Sequence, residues 1–267
     1  MKVGEIVTVT TTTFAAQSYE LNAAPPFGSL LRLQAGPDTT NGAREPRGSR
    51  GRPAAYYALC YATETGSIEP GRHAVAWGRF EDDEDDVYRR QPQLNQVLRT
   101  TFDALIVGYD DDTSLPDAES PPYPALDGHV SNGYAAEGHG ANGYAAEGYT
   151  ANGNGVAVRA DGHVATRDGE RAPIQRVPPT PPRLHALVYA ATPAQVVRFN
   201  GNLAYLRFVL RANLPNADDV VAATIDHAYR AMGHDRAFLV GAARAVARLL
   251  GAEHERVMNV LELLDGC

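Results

Sequence analysis

The chain opens on a block whose side chains repeat every second position. In Val3-Gly4-Glu5-Ile6-Val7-Thr8-Val9-Thr10-Thr11-Thr12-Thr13-Phe14, Val7 and Val9 share one face while Thr8, Thr10 and Thr12 share the other. That is the period of a strand, not of a helix. Pro25-Pro26-Phe27-Gly28 then makes a turn, and Ser29-Leu30-Leu31-Arg32-Leu33 follows at once as a second apolar strand. Strands with one inward and one outward side suit a small closed barrel. The pattern predicts strands over 2–14, 29–35, 55–65 and 101–109. In the last of these, Phe102, Leu105, Ile106, Val107 and Tyr109 leave neither side polar, which predicts burial on both faces. Pro92 reads as the first-turn proline of a short helix leading into that strand.

The pattern stops at about Asp110 and resumes only after Pro182. The stretch between carries a ten-residue tandem repeat, Ser131-Asn132-Gly133-Tyr134-Ala135-Ala136-Glu137-Gly138-His139-Gly140 followed by Ala141-Asn142-Gly143-Tyr144-Ala145-Ala146-Glu147-Gly148-Tyr149-Thr150. Each copy has an Asn-Gly turn and too little apolar surface to offset the entropy of ordering its backbone. Calcium-binding β-roll repeats use closely spaced aspartates, and both copies lack Asp. A disordered insert over 110–182 is therefore expected, stiffened at its exit by Pro178, Pro179, Pro181 and Pro182. Leu184-His185-Ala186-Leu187-Val188-Tyr189 reads as one further strand, which would close the barrel.

Beyond it the period changes to that of helices. Thr192-Pro193-Ala194-Gln195 is a capping box with Pro at the first helical position. Val196, Phe199, Leu203, Leu206 and Leu210 follow, with Gly201 as a break. Asn216 is positioned to cap a second helix that Gly233 ends, and Asp235 a third with Leu239, Ala242, Val246, Leu249 and Leu250. A fourth carries Val257, Val260, Leu261 and Leu264. The fold class is α+β: a small N-terminal β-barrel (1–109 plus 183–191), the insert (110–182), and a C-terminal helical bundle (192–267).

Several of these motifs resemble those of a known family. Gly4-Glu5-Ile6-Val7, Thr12-Thr13-Phe14, the Pro25-Pro26-Phe27-Gly28-Ser29 turn, Thr100-Thr101 at the start of the Phe102–Gly108 strand, and Pro181-Pro182-Arg183-Leu184-His185-Ala186-Leu187-Val188-Tyr189 resemble a HAS barrel. This is the small β-barrel found at the N-termini of HerA-type translocases and ATP synthase catalytic subunits. The helical tail, with Asp235-Arg236-Ala237-Phe238-Leu239-Val240 and Gly241-Ala242-Ala243-Arg244, is similar to that of standalone bacterial HAS-barrel proteins. The resemblance covers both ordered parts and leaves the insert outside. In that family the barrel forms rings or collars that help assemble a hexameric ATPase. It implies a non-enzymatic assembly module that organises or regulates such a machine in trans, with no cofactor.

Residue types limit the chemistry. A Walker A loop needs a lysine to reach the β- and γ-phosphates, and Lys2, with no glycine loop before it, is the only lysine in the chain. A P-loop motor is excluded. No Gly-x-Ser-x-Gly elbow and no His-Glu-x-x-His pair occurs. His227 and His234 with a nearby carboxylate could form a zinc site or be surface histidines at helix ends, and His185 could aim its imidazole into the barrel seam or be structural. Cys60 and Cys267 are the only cysteines, too few for a disulfide framework or a cysteine zinc site. No run approaches the ~18 apolar residues of a membrane span. The start lacks a signal-peptide pattern, so the cytoplasm is the expected compartment.

Two charge blocks and one apolar set remain as candidate partner sites. Arg44, Arg47, Arg50 and Arg52 are either a solvated loop or a phosphate-contacting tip. The run Glu81 to Asp86 is either a solvated loop or a docking surface for a basic partner. A nucleic-acid-binding accessory would use that arginine loop with Arg207, Arg211, Arg244 and Arg248, and the net charge of −8 disfavours it. Leu239, Val246 and Leu250 fall on one face of the third helix, and Val257, Leu261 and Leu264 on one face of the fourth. These six are either the core of the bundle or a surface for a protein partner or self-association.

Overall fold

The four threonines from Thr10 to Thr13 turn the chain where the period-two pattern predicts one continuous strand. In the computed structural model, β1 (Lys2–Val9) and β2 (Thr13–Ser18) form a hairpin instead. Thr10 Oγ1 accepts from the amide of Thr13 at 3.0 Å and of Thr12 at 3.3 Å, and the Thr10 amide donates to the Thr13 carbonyl at 2.8 Å. A hydroxyl that satisfies its neighbours' amides offers the backbone a turn in place of the ladder. A bulge between Ile6 and Thr8 changes the alternation as well, so that Ile6 lies inside and Val7 is exposed.

The structure describes residues 1–35, 53–69, 71, 73–77, 79–80, 83–111, 150–151, 157–158, 164–165 and 172–265. The arginine block Arg44 to Arg52, the repeat up to Tyr149, and Cys267 lie outside them. Strand β3 (Leu30–Gln34) pairs with β4 (Pro53–Ser67), and β4 pairs along its whole length with β5 (Leu98–Asp111). Between β4 and β5 lie α1 (Glu84–Arg90) and α2 (Leu94–Val97). Glu81 and Asp82 of the acidic run lie outside the described residues, and the rest of it opens α1: Asp83 Oδ1 accepts from the Asp86 amide at 2.9 Å. Carboxylates suit the positive end of the helix dipole.

Within 150–165, β6 (Thr150–Ala151), β7 (Ala157–Val158) and β8 (Val164–Ala165) pair as a separate three-stranded sheet. Strand β9 (Leu187–Ala190) then enters between β3 and β1 and closes the barrel in the order β1-β2-β5-β4-β3-β9. All six strands pair antiparallel. Three register shifts in the β4–β5 ladder bend the long strands around the small circumference.

The remaining chain is helical: α3 (Pro193–Asn200), α4 (Leu206–Arg211), α5 (Ala217–Ala231), α6 (Arg236–Leu250) and α7 (His254–Asp265). The Thr192–Gln195 capping box forms, and Asp235 caps α6 through the Ala237 amide at 2.8 Å. Asn216 precedes α5 but does not cap it with its side chain. Its Nδ2 donates to the Tyr61 carbonyl at 3.2 Å and ties the helix start to the barrel.

Two cores share the strands. Ile6, Phe14, Leu31, Cys60, Phe102 and Ile106 fill the barrel interior. Leu30, Tyr57, Leu59, Leu105 and Val107, on the opposite faces of the same strands, pack against Phe199, Tyr205, Val220 and Ile225. Strand β5 is therefore buried on both faces, as its composition predicts. Each fully buried side chain in this seam contributes roughly 1.5–3 kcal/mol, so barrel and helices are bound along a continuous apolar joint.

The ends of the insert belong to this joint. Tyr109 and Ile174 exchange backbone hydrogen bonds of 2.9 and 2.8 Å. Gln175 is buried, donates from Nε2 to the carbonyls of Phe199 (2.7 Å) and Asn202 (2.5 Å), and accepts from the Tyr205 amide (3.0 Å). Replacing residues 112–171 by a turn of about four residues is expected to leave the thermal midpoint intact or raised. Loop closure then involves a shorter chain, at about 0.6 kcal/mol per halving. Extending the deletion through 176 removes Ile174 and Gln175 with the five hydrogen bonds given above and should lower stability by about 5 kcal/mol, at roughly 1 kcal/mol per hydrogen bond. Equal melts for the two deletions would show that Ile174 and Gln175 hold nothing.

Candidate interaction surfaces

The polar constellation nearest to a chemical site is Tyr57, Asp110 and Arg198, and it is a clamp. Tyr57 comes from β4, Asp110 from the end of β5 and Arg198 from α3. The Asp110 carboxylate accepts from the Tyr57 hydroxyl at 2.8 Å and from Arg198 Nη1 and Nη2 at 3.2 and 3.0 Å. Asp110 is 3% exposed and Arg198 13%. Burial, then the Asp110 charge, pushes the Tyr57 phenol up to about 12, so it stays a neutral donor. Both carboxylate oxygens are occupied, so the group joins the barrel to α3. The sequence reading placed Asp110 in the insert and missed this clamp.

The other candidate groups are engaged or apart. His185 does not aim inward: it has a positive φ of 65°, is exposed, and sets Nδ1 2.7 Å from Glu5 Oε1 on the outer surface. His227 Nε2 lies 3.0 Å from the Phe27 carbonyl oxygen, and the His234 ring stands edge-on to Tyr229 at 5.0 Å. Among the described residues no three His, Cys, Asp or Glu side chains converge as metal ligands. Burial pushes the Cys60 thiol up to about 12, which leaves it a packing residue. Arg207 donates to the Gln175 carbonyl at 3.3 Å and lies over the Phe208 ring, while Arg211, Arg244 and Arg248 are exposed. Arg44, Arg47, Arg50 and Arg52 lie outside the described residues. A groove of ≈ 690 Å³ runs between the α4–α5 turn and α7, where Arg256 is held by Asp218 and Glu253.

The helical partner face is corrected by packing. Val246, Leu250 and Leu264 are buried in the seam core, Leu239 and Val257 pack against it, and Leu261 is half-buried. Helices this short form few internal contacts, so the apolar faces of α6 and α7 close on α5 and on each other. Five of the six belong to that core, and Leu261 stands half-buried beside it. What these helices expose instead is Val240, Leu249, Met258 and Leu263. No helix among the described residues is long and apolar enough to cross a membrane.

Two other apolar surfaces do face solvent. The first is the barrel wall away from the helices. Leu187 of β9 pairs with Glu5 of β1, so both side chains stand on the same outer face. Around Glu5 lie Tyr19, whose hydroxyl donates to Oε2 at 3.4 Å, and His185. Lys2 is stacked 4.6 Å above the Tyr19 ring. Loss of hydration, then Glu5, raises the Tyr19 phenol. Val7, Tyr19, Leu184 and Leu187 are all exposed here. The second surface is the connection from β4 to α1, with Val75 68% exposed, Trp77 50% and Phe80 83%. The sequence reading found neither surface. The signal for the second was the sole tryptophan standing three residues from Phe80 and just before the acidic run. Compared with known proteins, the chain matches no family model, and no curated protein matches it.

Proposed function

We propose that this protein is a non-enzymatic assembly module that seats on a protein partner through the open wall of its barrel. The observation that carries this reading is the asymmetry of the barrel. The helices cover one side through Tyr57, Leu59, Leu105 and Val107, while Val7, Tyr19, Leu184 and Leu187 stand uncovered on β1, β2 and the segment that closes on β9. A closed barrel has no free strand edge, so its contacts are made by such a face. The HAS-barrel resemblance supplies the partner: a HerA-type hexameric ATPase, organised or regulated in trans.

The test is one substitution chosen to spare the fold. Leu187→Lys places an ammonium opposite Glu5, a favourable cross-strand pair, so the melt should hold while the apolar wall is lost. Affinity capture from the native cell should recover a hexameric ATPase with the wild type. The variant should bind it at least about tenfold more weakly, as for a central interface residue. Equal recovery by both proteins, or recovery of no ATPase by either, overturns the reading.

A further inference from the structure

One row of side chains crosses the barrel from its open wall to its covered side. On the outer face Lys2 of β1 stands opposite Tyr189 of β9, Tyr189 opposite Arg32 of β3, and Arg32 opposite Tyr57 of β4. Their neighbours along the strands, Val3, Leu31, Leu33, Tyr56, Ala58 and Val188, fill the barrel interior. Directly opposed side chains stand about 5 Å apart, so cation and ring alternate along the row. The Tyr57 ring lies 4.9 Å from that of Phe199 of α3 and marks the edge of the helical cover. Tyr189 is two residues from the exposed Leu187 and shares its face. Arg32 therefore sits where the cover ends and the open wall begins.

The charges around this row are paired or exposed, with one exception. Asp110 is held by Arg198 and by the Tyr57 hydroxyl. Glu5 is held at one oxygen by His185 and at the other by Tyr19. Asp111 and Arg183 are engaged. Lys2 lies exposed over the Tyr19 ring, and Glu20 is exposed where the chain leaves β2. Arg32 alone is half-buried and unpaired: among the described residues nothing accepts from it, and its Nε is buried without an acceptor. Its charge is close to Tyr57. Burial and Asp110 raise that phenol, and Arg198 and Arg32 oppose the rise. Taking a guanidinium partly out of water costs free energy that a paired carboxylate offsets. At Arg32 the fold supplies the desolvation and not the carboxylate.

We propose that Arg32 receives a carboxylate side chain of the protein partner, next to apolar side chains of the same segment that seat on Leu187. This rests on the open wall being the partner surface. A guanidinium takes a carboxylate through two parallel N–H···O bonds, and rings on either side shield the pair from water. Nucleic acid is the poorer occupant. A phosphate chain is tracked by a line of cations, and the row offers one further cation, Lys2, on a chain of net charge −8.

Two measurements on the full chain test this. In thermal melts Arg32→Met should leave the midpoint within about 4 °C of the wild type or raise it, because it removes a charge the free protein leaves unpaired. A midpoint lowered by more than about 4 °C would make Arg32 a structural residue and overturn the proposal. In fluorescence anisotropy at low salt, a labelled peptide of about ten alternating Glu and Val residues should bind the wild type. It should bind Arg32→Met at least about tenfold more weakly. The matching Lys and Val peptide and a thymidine oligonucleotide should bind neither protein. No binding of the Glu and Val peptide, binding indifferent to Arg32→Met, or tighter binding of the oligonucleotide would each overturn it as well. Neither measurement uses the captured ATPase, so the two readings fail separately. A capture that depends on Leu187 survives a negative result at Arg32, and a failed capture leaves the melts and the peptide to decide Arg32.

Discussion

Asp110→Ala is expected to destabilise the protein by about 3–5 kcal/mol, the effect of removing one member of a buried ion pair. The Arg198 guanidinium, 13% exposed, is left without its carboxylate, and the Tyr57 hydroxyl without its acceptor. Denaturant unfolding of the single and double variants separates these effects. Asp110→Ala with Arg198→Ala should cost much less than the sum of the two single changes, since the second removes the stranded charge. Tyr57→Phe should cost about 1.5–3 kcal/mol, the range for a hydrogen bond to a charged group. It also has a pH signature. The Tyr57 phenol is raised to about 12 in the folded chain, against about 10 when unfolded. Its contribution is complete below pH 10 and is lost as pH rises from about 10 to about 12, because only the unfolded state ionises there. The variant should lose less stability than the wild type across that window. Additive single changes, or identical alkaline profiles, would show that the three groups do not act together.

The second large effect is expected from one methyl group. Gly28 ends the Pro-Pro-Phe-Gly turn at φ +74°, and a Cβ built there would stand 2.5 Å from the Ala223 Cβ and 2.9 Å from the Ala223 carbonyl carbon. The turn is docked on α5: the Gly28 carbonyl accepts from Thr224 Oγ1 at 3.0 Å, and its amide donates to the Cys60 carbonyl at 2.8 Å. Gly28→Ala therefore combines a left-handed backbone penalty of about 1–2 kcal/mol with overpacking of about 1–3 kcal/mol. The loss of about 2–5 kcal/mol should appear in thermal melts and as earlier proteolysis of the helical part. Adding Ala223→Gly removes the nearest clash but not the backbone penalty, and should restore only part. A Gly28→Ala protein within about 0.5 kcal/mol of the wild type, the range of ordinary surface changes, would mean the turn does not seat against α5.

That turn illustrates how much of the molecule its sequence displays. Pro25-Pro26-Phe27-Gly28 is legible as a turn because proline and glycine act on their own backbone. That it is also the socket for Thr224 is not legible, because the partner lies 196 positions away. The same division holds elsewhere. The helix caps at Thr192 and Asp235 are local and form as read. The Asp110 clamp joins residues 53 and 88 positions apart, and nothing near Asp110 announces it. In the threonine run, β propensity and hydroxyl turn chemistry compete over the same residues, and the turn wins at Thr10. The apolar faces of α6 and α7 were legible as faces. Which neighbour covers them depends on the docking of α5, and that docking again runs through Gly28.

The closing strand has a consequence for how the protein is made. Residues 187–190 are the last of the barrel to be synthesised, yet they stand between β3 and β1, which are among the first. Until the ribosome has passed the insert, the nascent chain can form only an open five-stranded sheet whose two terminal strands offer bare amides and carbonyls. Such edges template pairing with other chains, and contacts this distant in sequence form late. A message truncated within the insert would therefore yield a sticky half-barrel. The yield of sound protein depends on how quickly translation carries the last four barrel residues to a gap that has been waiting for them.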